Sequence, residues 1–461
     1  MTSPRTTPIA TMTRLALAGA LLALPTVLLA GPPAIAADVA CTETDLVNAI
    51  TTANVSGGTI SLTPYCVYNL TGAHGGADNG LPVITQHVVV IGQNATILRN
   101  ASSTFRIFEV DSGGTLDLTG VSIENGSTET ATTLDGGGIL VLSGGKLTTH
   151  TSTIQGNLAA AGPTGDSGDG GGVSVAAGGI ADLQTTRIND NSAQSDGGGI
   201  DSDGTVTLHD MTVDHNRALN HGGGINAESG TLDVFTTSIA NNVGAHGAGG
   251  LNLRGGTDTI TGSFVINNSA TAGDDASGGG VYSDGNSLTI DSTTISGNAA
   301  TGTTPSGPIG GGLVIGSNAV ITNSRITNNR LVGRNAQGAA ISQIGGILTL
   351  DTVTVTGNLA SGQNSKGGGI YTQGGALNTS GTTVSGNKVT GSGAKGAGVY
   401  DTNSTLSLTN TTITGNTAPT GPGGLYTETD FTTFSGSTIT ANTPTNCLYS
   451  PGLPLTHGCP D

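Results

Sequence analysis

Residues 197–225 read GGGIDSDGTVTLHDMTVDHNRALNHGGGI, and this stretch decides the fold. It opens and closes on one signal, three glycines followed by an aliphatic residue. Inside it lies a second signal, Val213-Asp214-His215-Asn216: a β-branched residue, two variable residues, then Asn. The segment between the signals alternates apolar and polar residues with period 2, as Leu232-Asp233-Val234 does one repeat later. Such alternation marks a strand with one face buried.

Working outward, the glycine signal precedes Ile139, Val173, Ile200, Ile225, Leu251, Val281, Leu313, Ile341, Ile370, Val399 and Leu425, with Ala sometimes replacing a Gly. Successive aliphatic positions are 34, 27, 25, 26, 30, 32, 28, 29, 29 and 26 residues apart. The second signal keeps step, ending on Asn157, Asn191, Asn216, Asn242, Asn268, Asn298, Asn329, Asn358, Asn387, Asn416 and Asn442. A period of this length held over ten intervals means a solenoid.

The expected fold is therefore all-β: a right-handed parallel β-helix in which each repeat is one coil of three short strands. Strands of neighbouring coils pair in parallel at about 4.8 Å, so eleven coils make a rod of roughly 50 Å. Inward Ile, Val and Leu stack into columns. The glycine cluster allows tight corners with positive φ. Asn is expected to adopt the left-handed conformation at another corner, with its stacked amides bonding from coil to coil.

Composition agrees with a stacked core. The chain has 461 residues, 78 Gly, no Trp and 3% aromatics, too few large side chains for a conventional interior. Residues 1–36 read as a signal peptide: Arg5 and Arg14 precede an apolar run from Leu15 to Ala30, and Ala34-Ile35-Ala36 offers a cleavage site. Cleavage takes the formal net charge from −17 to −19. No later stretch approaches the ~18 apolar residues needed to span a bilayer, and neither a C-terminal anchor nor a terminal run of barrel-forming strands is expected. Residues 37–130 form an N-terminal cap and irregular first coils. Residues 131–446 carry the repeats, and 447–461 a C-terminal disulfide cap. Thr44 is the expected N-cap of a capping helix whose stripe is Leu46, Ala49, Ile50 and Ala53. A rigid solenoid holds its ends apart, so the four cysteines should pair locally, Cys41 with Cys66 and Cys447 with Cys459.

The motif GG[GA][ILV], a strand, then [IV]xxN resembles the polymorphic membrane protein repeat of bacterial surface proteins, with Ile or Val where that family has Phe. More broadly, residues 41–461 are similar to secreted bacterial β-helix proteins of the pectin-lyase-like fold. That resemblance implies a fold shared by adhesins, scaffolds, lyases, hydrolases and epimerases. The membrane-anchoring barrel of a polymorphic membrane protein is missing from the pattern.

Stacking makes residues at equal offsets neighbours. On the strand after each glycine cluster the second residue should face outward, giving Asp201, Asn226, Asn252 and Tyr282. The fourth gives Asp203, Glu228, Arg254 and Asp284. Neighbouring coils lie about 4.8 Å apart and alternate residues of a strand about 6.6 Å. Such spacings approach the roughly 5–5.5 Å or 6.5–9.5 Å carboxylate separations of glycosidases. Crowding should raise one carboxylate's pKa. If the protein is an enzyme, Asp203 and Glu228 are the pair, Arg254 the clamp, and Asp201 and Asp284 supporting acids. The alternative is a solvated polar ladder.

The residue before each glycine cluster runs Asp135, Asp169, Asp196, His221, with His246 out of register by one, and becomes Lys366 and Lys395 further on. His209 and His215 lie nearby. This column reads as an exposed corner or as a divalent-cation site. Calcium is considered again at Gly165-Asp166-Ser167-Gly168-Asp169, which lacks the spacing of a full calcium loop. No metal ligands are assigned and no cofactor is expected. Tyr371, Tyr400 and Tyr426 stack in consecutive coils, either as an outward platform for sugar rings or as a stabilising aromatic ladder.

The function expected is a secreted, monomeric, structural or glycan-binding β-helix with an extracellular glycan or cell-surface ligand. The alternative is a polysaccharide hydrolase or lyase acting at residues 201–284. The acidic charge disfavours nucleic acid and polyuronates. The insertions at 158–169, 271–277 and 300–309 lengthen corners and could form a rim.

Overall fold

The computed structural model describes residues 38–449, apart from 130, 132, 162–167, 272–275, 286 and 429–431, together with Cys459. The segment read as a signal peptide lies outside them, as do most of the calcium-like stretch, parts of two corner insertions and most of 450–461.

From Ala37 onward the chain is one unit, a parallel β-solenoid of about 13 turns. Each regular coil carries four short strands rather than the three expected. In the coil that begins at Gly197 they are Ile200–Ser202, Thr205–His209, Thr212–Asp214 and Arg217–Ala218. The first strands of all coils form a 13-stranded sheet A, from Phe108–Val110 to Cys447–Tyr449. The second and third join in the 26-stranded sheet B, and the fourth form the nine-stranded sheet C. The extra division arises because a left-handed residue, Asp210 in this coil (φ 54°), bends the chain between the second and third strands without breaking the sheet.

Pairing between coils is parallel and in register. Ile200 aligns with Ile225, Asp201 with Asn226, and Ser202 with Ala227, so the aliphatic columns read from the sequence are continuous. Ile139, Val173, Ile200, Ile225, Leu251 and Val281 are all fully buried in one core.

The repeated Asn also departs from expectation. Its own backbone is not left-handed. The residue before it is: His215 (φ 57°), Asn241 (φ 56°) and Asn267 (φ 56°). That corner turns each Asn side chain into the interior, where the amides form an unbroken ladder. Asn298 shows the pattern. Its Nδ2 donates to Asn329 Oδ1 at 3.0 Å and to the Val265 carbonyl at 2.8 Å. Its Oδ1 accepts from both Asn268 N (2.9 Å) and Asn268 Nδ2 (3.0 Å). Each amide thus satisfies backbone groups that a corner would otherwise bury unpaired.

A second ladder was not read from the sequence. Thr237 N donates to Ser263 Oγ (3.1 Å), Ser263 N to Thr293 Oγ1 (3.2 Å) and Thr293 N to Ser324 Oγ (3.0 Å). Its signal is a Ser or Thr two residues before the Ile or Val of the second motif. Met211 and Val353 interrupt the column and hide it.

The N-terminal edge is covered by helix α1 (Glu43–Ser56), which buries Leu46, Ile50 and Ala53; Ala49 is half-buried beside them. Its N-cap is Thr42, not Thr44, with Thr42 Oγ1 accepting from Asp45 N at 3.2 Å. Two acidic residues, Glu43 and Asp45, occupy the first turn, where they favour the helix dipole. Cys41 is bonded to Cys66 and Cys447 to Cys459, with Cα separations of 5.8 and 6.0 Å. Among the described residues no helix is long and apolar enough to cross a membrane.

Candidate ligand-binding groove

Three polar columns on and beside sheet A build the candidate site. The outward second column is a hydrogen-bonded chain: Asn252 Nδ2 donates to Asn226 Oδ1 (2.6 Å) and Asn226 Nδ2 to Asp201 Oδ1 (2.7 Å). Outward does not mean exposed here, since Asn226 and Asn252 are 1% and 0% accessible. The corner preceding the glycine cluster folds over them. Burial, reinforced by the negative charge of Asp169, pushes the Asp201 carboxyl well above the usual carboxylate range.

That corner forms the second column. Asp169 N donates to Asp135 Oδ1 (3.0 Å), Asp196 N to Asp169 Oδ1 (2.7 Å) and His221 N to Asp196 Oδ1 (2.7 Å). Each carboxylate thus receives the backbone N–H of the next coil. At one end the buried Arg106 guanidinium donates to the Asp135 carbonyl. At the other, the His221 ring lies 3.0 Å from Asp196 Oδ1 through Nδ1 and 3.1 Å from Arg254 Nη2 through Nε2. Among the described residues no group of three His, Cys, Asp or Glu is placed to hold a metal ion.

Burial is the main cause that raises the Asp169 carboxyl to about 6, with the charges of Asp135 and Asp196 adding to it. Burial also acts on Asp196, but hydrogen bonds from His221 outweigh it and bring that carboxyl below its ordinary value. The crowded carboxylate with a raised pKa is therefore found, but in the corner and in the second column. Because Asp169 holds its proton more tightly when folded, stability falls as pH rises from about 4 to 6, and the penalty is complete above 6. Asp169→Asn keeps the acceptor and removes the charge. Allowing for solvent access to a half-buried group, it should stabilise the protein at pH 7.5 by on the order of 2 kcal/mol. At pH 3, below the carboxyl's pKa in both the folded and the unfolded chain, the gain should nearly vanish. Paired thermal denaturation at the two pH values checks this.

The fourth column is exposed, with Asp203, Glu228, Arg254 and Asp284 at the surface. Asp203 Oδ1 accepts from Ser229 Oγ at 2.9 Å. Of the residues singled out in the sequence, Arg254, Tyr282, His221 and His246 meet in one groove, about 760 Å³ in volume. Asn220, Ser277, Ser306, Ile309 and Gln337 complete much of its wall. Arg254 and Tyr282 continue with Asp284 into an adjoining recess. Asp203 and Glu228 are not in the lining of either. The groove follows the corner column: Ser277 pairs with Ile309, and Ile309 with Gln337. The wall residues from 276–277 and 306–309 belong to or border the corner insertions and were not singled out one by one, because Gly/Ser/Thr/Pro loops carry no periodic signal.

Tyr282 is half-buried. The Arg254 guanidinium lies 5.7 Å from its ring centre, and the Asp284 carboxylate is near enough to act on its phenol. Burial, with the Asp284 charge, raises the phenol's pKa, so the hydroxyl remains a donor.

The three stacked tyrosines sit differently from a sugar platform. Ring centres are 5.7 Å apart for Tyr371–Tyr400 and 4.7 Å for Tyr400–Tyr426. Yet the residues are 2%, 1% and 5% exposed, which corrects the expectation of an open strip. Lys366 lies over Tyr400 (4.7 Å) and Lys395 over Tyr426 (3.9 Å), while the Tyr400 hydroxyl donates to Glu428. The long lysine stems of the corner column close this face. Burial pushes the Tyr371 phenol up to about 12.

No family model matches the chain, and no curated protein does. Among solved structures it is similar to the tailspike protein of E. coli bacteriophage HK620 in complex with a hexasaccharide. The match has 11% identity and a TM-score of 0.32, covering 88% of this chain and 73% of that one. It is also similar to an endo-xylogalacturonan hydrolase from Aspergillus tubingensis at 14% identity and a TM-score of 0.23, covering 80% of this chain and 92% of that one.

Proposed function

We propose that the protein is an exported, monomeric, disulfide-capped β-helix that binds an extracellular or cell-surface glycan in the Arg254–Tyr282 groove. The observation carrying this reading is the pairing of Tyr282 with Arg254 in a groove walled by amides and hydroxyls. Sugar recognition needs one apolar ring face to stack on and several donors and acceptors directed at hydroxyls. Tyr282 supplies the first; Asn220, Gln337, Ser277 and Ser306 supply the second. The groove's 760 Å³ suits a short stretch of oligosaccharide. The covered tyrosine ladder, in contrast, serves the stability of the C-terminal coils, and the Asn and Ser/Thr ladders that of the rod.

A second reading, polysaccharide cleavage, draws on the raised Asp169 and Asp201 carboxyls, since a glycosidase needs a protonated acid near neutral pH. Both are engaged in closed ladders, and among the described residues no Asp or Glu lines the main groove. Binding is therefore favoured. The test is a panel of polysaccharides and oligosaccharides, with and without calcium, scored for retention of the protein and for new reducing ends or unsaturated products. Retention without cleavage is the expected result. Cleavage abolished by Asp169→Asn or Asp201→Asn, or by Asp203→Ala or Glu228→Ala, would replace the binding reading with the enzyme.

A further inference from the structure

His221 joins the buried acid ladder to the groove, and its two ring nitrogens face opposite partners. Nδ1 is 3.0 Å from Asp196 Oδ1, and Nε2 is 3.1 Å from Arg254 Nη2. A guanidinium only donates, so Nε2 must accept, and the ring is the neutral tautomer with its proton on Nδ1 directed at Asp196. The ring has room for this pose because residue 247 is glycine: a Cβ there would stand 2.5 Å from His221 Cδ2. The same Arg254 lies across the face of Tyr282.

We propose that His221 is a positioning residue that couples the groove to pH by holding Arg254 when neutral and releasing it when protonated. This rests on the groove being the ligand site. Protonation turns Nε2 into a donor and sets an N–H and a positive charge against the guanidinium. Arg254, exposed at the surface, then swings away, frees its donors for a ligand and uncovers the Tyr282 ring. Asp196 retains the imidazolium through Nδ1–H.

Other charged groups face this assembly. Asp169 and Asp135 lie behind Asp196, Asp201 on the neighbouring strand, His246 on the groove wall, and Asp284 beyond Tyr282. Glu228 lies beside Arg254, one coil earlier in the same column. A pH response alone would therefore not single out His221.

The test begins without ligand. In ¹⁵N-labelled protein, the Arg254 Nε–H resonance is followed from pH 5 to 8 beside the His221 ring signal. The expected result is one shared midpoint. His221→Gln offers a side-chain carbonyl to Arg254 and an amide to Asp196, imitating the neutral ring. It should freeze the Arg254 signal at its high-pH position. His221→Phe should freeze it at the low-pH position. An Arg254 signal that does not move through the His221 midpoint overturns the proposal, as does one that moves equally in His221→Gln. For whichever oligosaccharide the panel retains, His221→Gln should bind roughly threefold to tenfold more weakly than wild type below that midpoint and equally above it. Equal binding at both pH values overturns the coupling. A latch that moves in protein retained by no glycan overturns the groove reading and leaves the latch standing.

Discussion

Asn298→Ala is expected to lower stability by about 3–5 kcal/mol. The substitution removes an amide that is fully buried and serves both neighbouring coils. Asn268 N–H loses its acceptor and the Val265 carbonyl loses its side-chain donor. Neither can reach water, because the corner is closed by the stacked coils. Each orphaned group costs about 1–3 kcal/mol, and the shortened side chain leaves a cavity besides. In a solenoid each coil touches only its neighbours, so the damage should be felt first as local opening between the coils of Asn268 and Asn329. Equilibrium denaturation measures the total, and amide hydrogen exchange locates it. Loss of under 1 kcal/mol would mean the ladder is ornament rather than structure.

Tyr400→Ala should cost a similar amount, about 3–5 kcal/mol. Its ring is the middle of three, stacked on Tyr371 and Tyr426 and covered by two lysines. Truncation opens a void in the C-terminal coils. It also strips Glu428 of its phenol donor and Lys366 of the ring beneath it. Tyr400→Phe keeps the stack and forfeits only the hydroxyl's bond to a carboxylate, so about 1–2 kcal/mol is expected. Comparing the denaturation midpoints of the two variants separates packing from hydrogen bonding. Equal losses would place the stabilisation in the hydroxyl.

The coil was legible because its physics repeats. A glycine cluster every 25–34 residues and an Asn in every copy can be explained only by stacking, and the register of Ile200 on Ile225 follows directly. What repeats weakly was harder to read. The Ser/Thr ladder is interrupted by Met211 and Val353. The bend at Asp210 carries no residue type that marks it, since Thr, Ser, Asn and Gly serve equally at that offset in other coils. The cap was misplaced by two residues because Thr42 and Thr44 are chemically equivalent and only the geometry of Asp45 distinguishes them.

The candidate site was legible by half. Columns on sheet A brought Arg254, Tyr282 and Asp284 together correctly in order, but alternation could not reveal that a corner folds over the second column. Asn226 and Asn252 are enclosed for that reason, and Tyr371, Tyr400 and Tyr426 are roofed by Lys366 and Lys395. The tyrosines and lysines had each been read, but on separate columns. Their contact appears only once the corner's position over the sheet is known.

The most direct test of the groove as the binding site is a calorimetric titration of wild type and Tyr282→Ala with the oligosaccharide the panel retains best. Tyr282→Ala removes the ring face and leaves the ladders beneath it in place. Affinity should be at least about tenfold weaker, the loss of roughly 1.4 kcal/mol of stacking, while the variant still unfolds in one cooperative transition above the titration temperature. Undiminished affinity in Tyr282→Ala would contradict it and move the binding site elsewhere on the rod.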